Sequence, residues 1–229
     1  MSVTGEPDGR PLKVGAALID MICGLFATNG ILAALHARDR DGHGQRVEVS
    51  LMDSALASLL NQASAHLNAG AVPGRMGNRH PSIAPYETFA AADGDFAVAV
   101  GNDTIFARLC GVVGRPQLSG DERFATNVAR MEHRDDLAAE LEAAFAGAPA
   151  ADWVQRLGDA GVPAGPINDV GEAFALAEAL GLEPVWEVDG VRGVRSPLQL
   201  SDTPAAARRR PPALGEHSDE LRAWLEAAG

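Results

Sequence analysis

The apolar positions between residues 17 and 38 recur every three or four residues, which is the period of an α-helix. They are Leu18, Ile22, Leu25, Phe26, Leu32 and Leu35. Small and apolar residues occupy nearly all sides of this segment, so the pattern predicts a helix that is covered on most sides. Gly24 and Gly30 lower its helix propensity and indicate close packing against another backbone. Asp20 and Asn29 interrupt the apolar run, which favours a buried helix over a membrane span.

A strand-like segment and a second helical pattern follow. Apolar and polar residues alternate over residues 46–51, which predicts a short strand. Residues 50–70 predict a helix with Ser50 as its N-cap and Gly70 as its stop. Residues 71–85 are rich in Gly, Pro and Asn, and therefore mark a linker or a boundary.

The rest of the chain mixes strand and helix patterns. Residues 86–102 predict a hairpin with a turn at Asp93–Gly94, and residues 161–167 an extended piece held by its prolines. Short strand-like runs surround Trp186 and Val194. Further helices are expected at 103–113, 132–146, 150–160, 169–180 and 216–227. The elements predict an α/β fold class whose first half has two helices around one strand and no complete βαβ nucleotide fold.

The balance of charge limits the classes of partner. The 229 residues carry 31 acidic and 19 basic side chains, a net charge of −12. This balance argues against a general nucleic-acid role, because phosphate binding needs a basic surface. The basic run Arg208–Arg210 leads into two prolines and is interpreted as a solvated loop. Hydrophobic residues make up 46% of the chain, enough to bury a core.

Cysteine and histidine usage gives no metal or disulfide signal. Cys23 and Cys110 each lie in an apolar run, and no CxxC pattern is present. The histidines do not pair at metal-ligand spacing, so no metal site is predicted. Residues 1–14 are polar and turn-rich, unlike a secretory signal. These features fit a reducing environment, and a cytoplasmic location is expected.

Asp20 is the most informative candidate for chemistry, because it is a carboxylate inside an apolar segment. Asp in the first turn of a helix commonly caps the helix or interacts with its dipole. A carboxylate in a partly dry site can instead attack an activated carbonyl and form a covalent intermediate. The residues alone leave both interpretations open.

Two further segments have a structural and a functional interpretation. His80 lies in a loop rich in Gly, Asn and Pro, which could be a lid over a site or an ordinary connection. Asn102 and Asp103 lie where a strand passes into a helix, so they could cap the helix or form the polar edge of a pocket.

Several segments together resemble the class III CoA-transferase family, which includes formyl-CoA transferase, carnitine–CoA transferase and the alpha-methylacyl-CoA racemases. Each segment is weak evidence alone, but their order and spacing span nearly the whole chain. The matching segments are GAALIDMICGLFATNGILAALHARDRDGHGQRVEVSLMDSAL (15–56), GNRHPSIAPYETFAAADGDFAVAVGND (77–103), DERFATNVARMEHRDDL (121–137), GVPAGPIND (161–169) and residues 195–220.

The resemblance implies a catalytic role for Asp20, which falls on the family's catalytic aspartate. That residue attacks an acyl-CoA thioester to give an acyl–aspartyl anhydride, and then an aspartyl-CoA thioester from which an acceptor acid collects the CoA. Coenzyme A is thus a substrate, and no cofactor or metal is implied. Alpha-methylacyl-CoA racemisation is an alternative, and a non-catalytic fragment or a partner-dependent subunit is another.

The resemblance also implies substrate- or CoA-binding roles for Gly77, Asn78, His80, Asn102 and Asp103. The family loop over the active site corresponds to residues 77–81. This sequence has GNRHP where formyl-CoA transferases have a run of glycines, which argues against oxalate or formate as the substrate. Asp103 stands where the racemases usually have Glu.

The family's chains are much longer, and their first portion binds most of the CoA. The resemblance therefore implies that this chain is the C-terminal part of such an enzyme, inactive as an isolated fragment. Residues 1–70 would be the end of a large, incomplete Rossmann-like domain with a linker helix, residues 71–180 a small α+β domain, and residues 181–229 a segment that returns to the large domain. Acyl-CoA and a carboxylic acid are the expected partners in an interlocked homodimer, without nucleic acid or membrane.

Overall fold

The computed structural model describes residues 1–228 as two compact units, Met1–Pro166 and the segment from Ile167 onward. The first unit begins with α1 (Leu18–Asp41), which ends at Gly42 in the left-handed conformation. An extended segment follows, and then α2 (Leu51–Ala57) and α3 (Leu60–Ala69). Ser50 caps α2 by accepting a hydrogen bond from the Asp53 N–H, as predicted.

Two sequence predictions in this region are wrong. Residues 46–51 form no strand ladder, because no other described strand lies beside them to complete the hydrogen bonds. The single helix predicted over residues 50–70 is two helices, interrupted at Ser58 and Leu59. Leu60 there has a φ of 48°, in a region that a leucine rarely occupies.

The remainder of the first unit is a small α+β body. The predicted hairpin is β1 (Tyr86–Ala90) and β2 (Asp95–Ala99), and β3 (Ala164–Pro166) pairs antiparallel with β2. Its helices are α4 (Asp103–Val112), α5 (Asn127–Glu132), α6 (Arg134–Phe145) and α7 (Ala150–Asp159), together with a 3₁₀ turn at Pro116–Gly120.

The hydrophobic core lies within residues 84–162. Phe145 is at its centre and makes edge-on contacts with Phe96 (centroids 4.9 Å apart) and Trp153 (5.3 Å). The Trp153 indole N–H donates to the Phe145 carbonyl at 2.8 Å, so its polar atom is satisfied inside the core. In contrast, Ser54 is the only buried residue between residues 1 and 83.

The second unit has α8 (Val170–Ala179), a hairpin of β4 (Val185–Val188) and β5 (Val191–Val194), and α9 (Ser218–Ala228). Asp169 and Glu172 form a capping box at the start of α8, each bonding the other's backbone N–H. These elements agree with the helices and strand-like runs that the sequence predicts after residue 168.

The helix α1 is long and apolar enough to cross a membrane by length and composition alone. A core helix of a soluble protein passes the same test. None of its residues is buried within this chain. Leu18, Met21, Leu25 and Leu32 lie on one face by their helical spacing, and we call them the apolar stripe of α1.

Candidate active site

Asp20 is the third residue of α1, so its carboxylate lies at the positive end of the helix dipole. Ala17 precedes the helix and has no side chain that could cap it, which leaves first-turn N–H groups without side-chain partners. Among residues 1–228, no hydrogen bond or ion pair occupies the Asp20 carboxylate. The side chain is exposed in this chain rather than shielded. The carboxylate is therefore available to bind a ligand. Residues 1–228 alone do not exclude water from it.

Asp20 lines a cleft between α1 and the extended segment that precedes α2. The cavity has a volume of about 380 Å³. One wall is formed by residues of α1 at helical spacing, and the other by apolar side chains of the extended segment. The lining residues are Asp20, Cys23, Gly24, Ala27, Ile31, Val47, Val49 and Leu51. Apart from Asp20 the walls are apolar or small, so the cleft suits the uncharged part of a ligand.

The two glycines of α1 differ in their surroundings. A Cβ built on Gly30 would lie 2.8 Å from Val47 Cγ1, so this glycine permits a close approach, but of a side chain rather than of the backbone that the sequence predicts. A Cβ on Gly24 would meet no atom within 4 Å, because this position faces the open cleft. Gly24 therefore leaves space beside Asp20 instead of packing against backbone within this chain.

The loop at residues 77–81 is held at its first two residues. Gly77 donates its N–H to the Gly5 carbonyl at 2.9 Å and has a φ of 60°, and a Cβ there would lie 2.9 Å from the Glu6 carboxylate. Asn78 donates to the Thr88 hydroxyl at 3.1 Å. The positive φ favours glycine at residue 77, whereas the contact with Glu6 involves only the end of a flexible side chain.

Asn102 and Asp103 have structural partners. Asn102 caps α4 by accepting from the Ile105 N–H at 3.0 Å. Asp103 accepts from Arg130 Nη2 at 2.7 Å. Neither lines the cleft of Asp20, and neither do Gly77, Asn78 and His80. The chain therefore does not bring these five residues together with Asp20 in one cavity.

A buried charge network lies beside this loop and is absent from the sequence predictions. Arg134 Nε donates to Glu87 Oε1 at 2.9 Å, and Arg79 Nε donates to Glu87 Oε2 at 3.0 Å. Arg130 is fully buried and lies over the Phe106 ring at 4.4 Å. The spacing of Asn127, Arg130 and Arg134 by three and four residues is the signal that could have placed them on one side of their helices.

Neither the shifted pKa of a cysteine nor a cluster of metal ligands lies at this cleft in the part of the chain that the structure describes. Burial raises the pKa of the Cys110 thiol to about 11, but this residue lies in the core. Within residues 1–228, no three His, Cys, Asp or Glu side chains come together in a way that could hold a metal ion.

The chain belongs to CoA-transferase family III, whose family model matches residues 1–218. It is 41% identical over 231 aligned residues to the succinate–glutarate CoA-transferase of Agrobacterium fabrum, covering 99% of this chain and 58% of that protein. It is 40% identical to the acetyl-CoA:oxalate CoA-transferase of Acetobacter aceti, covering 97% of this chain and 58% of that protein.

Among solved structures, a CAIB/BAIF family protein from Brucella suis superimposes with a TM-score of 0.82 at 42% identity. The match covers 98% of this chain and 60% of that one. The chain thus spans less than two thirds of the length of these relatives. The family and the α/β class predicted from the sequence are confirmed. The relatives are named as transferases, which does not favour the racemase alternative.

Proposed function

We propose that this chain carries the catalytic carboxylate of a CoA-transferase, and that Asp20 is the covalent carrier. The observation that supports this most is an unpartnered carboxylate at the start of α1, beside an open and largely apolar cleft. Membership of CoA-transferase family III makes acyl transfer the relevant chemistry for that carboxylate.

The proposed first half-reaction has two steps. An Asp20 carboxylate oxygen attacks the carbonyl carbon of the donor thioester, the C–S bond breaks, and CoA leaves as the thiolate. The thiolate then attacks the Asp20 carbonyl carbon of the mixed anhydride, which releases the donor acid as its carboxylate. The product is an aspartyl-CoA thioester.

The second half-reaction repeats these steps with the acceptor. The acceptor carboxylate attacks the aspartyl thioester and releases CoA thiolate, which leaves a new mixed anhydride. Attack of the thiolate on the acceptor's acyl carbon gives the new acyl-CoA and restores the Asp20 carboxylate. No oxidant or metal is consumed, because every step exchanges one acyl bond for another.

The local structure supports these steps in two ways. Free N–H groups in the first turn of α1 can stabilise the oxyanion that develops on each attacked carbonyl. The apolar cleft walls can limit access of water to the anhydride once they are covered. We therefore propose that polypeptide beyond residues 1–229 covers α1 in the working enzyme, which acts as a dimer.

The substrates belong to the proposal as well. The relatives are named for succinate, glutarate and oxalate, which are all dicarboxylic acids. A dicarboxylic acid is therefore the first acceptor class to test, with succinyl-CoA as the donor. The prediction from GNRHP that argues against oxalate or formate as the substrate can be tested in the same assay.

The test is a comparison of Asp20→Asn with Asp39→Asn in the whole protein. Asp39 lies on the same helix and pairs only with the neighbouring Arg38. We expect Asp20→Asn to lower CoA transfer from succinyl-CoA to glutarate by at least about a thousandfold, because the nucleophile is lost. Asp39→Asn should leave the rate unchanged. A rate in Asp20→Asn close to that of the unmodified protein would overturn the proposal.

A further inference from the structure

The polar lead-in before α1 contains a small closed loop. Residues 4–12, which we call the strap, are joined at their ends because Leu12 donates its N–H to the Thr4 carbonyl at 2.9 Å. Within the strap, Gly9 donates to the Glu6 carbonyl at 3.0 Å and completes a turn. The sequence predicts only a turn-rich lead-in here, and its closure is a finding of the structure.

The strap is bonded to a segment that lies far along the chain, between α3 and β1. Arg75 Nε donates to the Glu6 carbonyl and Arg75 Nη2 to the Pro7 carbonyl, both at 3.2 Å. Gly77 donates its N–H to the Gly5 carbonyl at 2.9 Å. Three hydrogen bonds therefore join two stretches of main chain that no regular secondary structure connects.

Arg75 is half-buried, and its guanidinium serves this contact. Within residues 1–228, no carboxylate forms an ion pair with it, and both of its hydrogen bonds go to successive carbonyls of the strap. The planar guanidinium presents its donors in a fixed fork that suits two neighbouring acceptors. A methionine at residue 75 would keep an unbranched side chain and remove both donors.

Gly5 permits the close approach of the two stretches. It has a φ of 121°, and a Cβ there would lie 3.0 Å from the Arg10 carbonyl oxygen and 3.3 Å from Arg75 Cδ. An alanine would be strained in that conformation and would crowd a main-chain atom. Gly9 has no positive φ, and a Cβ there would meet Glu6 at 3.4 Å, an ordinary contact distance. The strap therefore favours glycine at residue 5 more strongly than at residue 9.

We propose that Arg75 anchors the strap to residues 75–77, so that the strap and the start of the loop at residues 77–81 open and close as one unit. Only residues 13–17 separate the strap from α1, so this unit links the approach to α1 with that loop. Its opening is a local event that leaves the core folded. The inference goes beyond the proposed function, because it needs no ligand and holds whichever substrates the enzyme takes.

Hydrogen–deuterium exchange of the whole protein, resolved to single amides by mass spectrometry, tests the anchor. The Leu12 and Gly77 amides are the reporters, because each donates to a carbonyl of the strap. In Arg75→Met both should exchange about thirtyfold faster, because two hydrogen bonds of ordinary strength are lost and one opening exposes both amides. The Val100 amide, which donates to the Pro85 carbonyl at 2.9 Å, should be unchanged, because Val100 lies in the core.

Arg46→Met is the matched control for this substitution. Arg46 is an exposed arginine whose hydrogen bond and ion pair are with Glu48, so both reporters should exchange as in the unmodified protein. Unchanged exchange of both reporters in Arg75→Met would overturn the proposal. Faster exchange of only one reporter would also contradict it, because the strap and the loop would then open separately.

A second pair of variants leaves Arg75 in place. Gly5→Ala should speed the exchange of both reporters, because the added Cβ strains the strap where it meets Arg75. Gly9→Ala, in the same strap, should leave both rates within about twofold of the unmodified protein, because its Cβ meets only ordinary contacts. Equal exchange rates in Gly5→Ala and Gly9→Ala would contradict the close approach on which the anchor depends.

Discussion

At the residue scale, the two cysteines provide a chemical comparison of the cleft with the core. Cys110 is fully buried, and burial raises the pKa of its thiol to about 11. Cys23 is partly exposed and lines the cleft beside Asp20. The thiolate is the reactive form, and a raised pKa keeps Cys110 protonated well above neutral pH. We therefore expect iodoacetamide at about pH 8 to label Cys23 and spare Cys110, as measured by peptide mass mapping. Equal labelling of both thiols before unfolding would contradict this difference, and urea should abolish it.

Asp20 stands out in the sequence as a candidate because it is a lone carboxylate in an apolar helix, and its catalytic role, which the family resemblance implies, stays a prediction. The exposure of Asp20 could not be predicted from the sequence. The pattern of α1 predicts a covered helix but does not indicate which polypeptide covers it. The resemblance implies binding roles for Asn102 and Asp103, and this stays a prediction, since in this chain they contact the Ile105 N–H and Arg130. Arg130 and Arg134 were missed because an arginine on a helix is usually a solvated residue, and only the three-dimensional structure places carbonyls opposite their guanidinium groups.

At the element scale, the two glycines of α1 give a matched pair. Gly24→Ala should stabilise the chain by up to about 1 kcal/mol, because alanine has the higher helix propensity and meets no atom there. Gly30→Ala should gain less or lose stability, because its Cβ would lie 2.8 Å from the stiff Val47 side chain. Urea unfolding followed by circular dichroism measures both variants. A Gly30→Ala protein as stable as Gly24→Ala would contradict the close approach of α1 to residue 47.

The contact of α5 with residues 80–86 predicts a larger effect. Arg130→Met should lower the free energy of unfolding by about 3 kcal/mol, because the Ala84 and Phe124 carbonyls lose their buried donor. Arg123→Met should cost much less, because its ion pair with Asp121 lies at the surface, where solvent screens the attraction. Thermal unfolding of the two variants side by side measures this difference, and similar losses would contradict it.

The elements that the sequence predicts best are those with local signals. The hairpin has its turn at Asp93–Gly94, and α8 has a capping box. The alternation of apolar and polar residues over 46–51 predicts a strand, because it places apolar side chains on one face. A strand also needs a neighbouring strand to complete its hydrogen bonds, and alternation does not indicate one. The helical pattern of residues 50–70 predicts one unbroken helix, because no Gly or Pro lies at residues 58–59.

At the scale of the whole molecule, the core is unevenly distributed. The buried apolar residues lie between residues 84 and 162, while α1 contributes none. A contiguous apolar surface of this kind commonly marks an interface. The domain prediction, with residues 1–70 as part of a larger domain, stays a prediction. This domain prediction requires further polypeptide, outside the 229 residues, that buries the apolar stripe of α1.

The apolar stripe predicts the behaviour of the isolated chain. Leu25 and Leu32 are 56% and 59% exposed, so the chain alone should bind a hydrophobic dye and self-associate. Leu25→Gln with Leu32→Gln should reduce both, because the stripe loses two of its four apolar side chains. Leu214→Gln is the control, since Leu214 is a single exposed leucine outside α1. Dye fluorescence and sedimentation velocity measure the effect. A chain that is monomeric and binds no dye would contradict an unfilled interface on α1.

The most direct test of the central claim is mass spectrometry of the whole protein after brief incubation with succinyl-CoA. The account predicts a succinyl or CoA adduct that maps to the peptide containing Asp20, and none in Asp20→Asn. An adduct on another residue, or active transfer with no covalent species on Asp20, would contradict it.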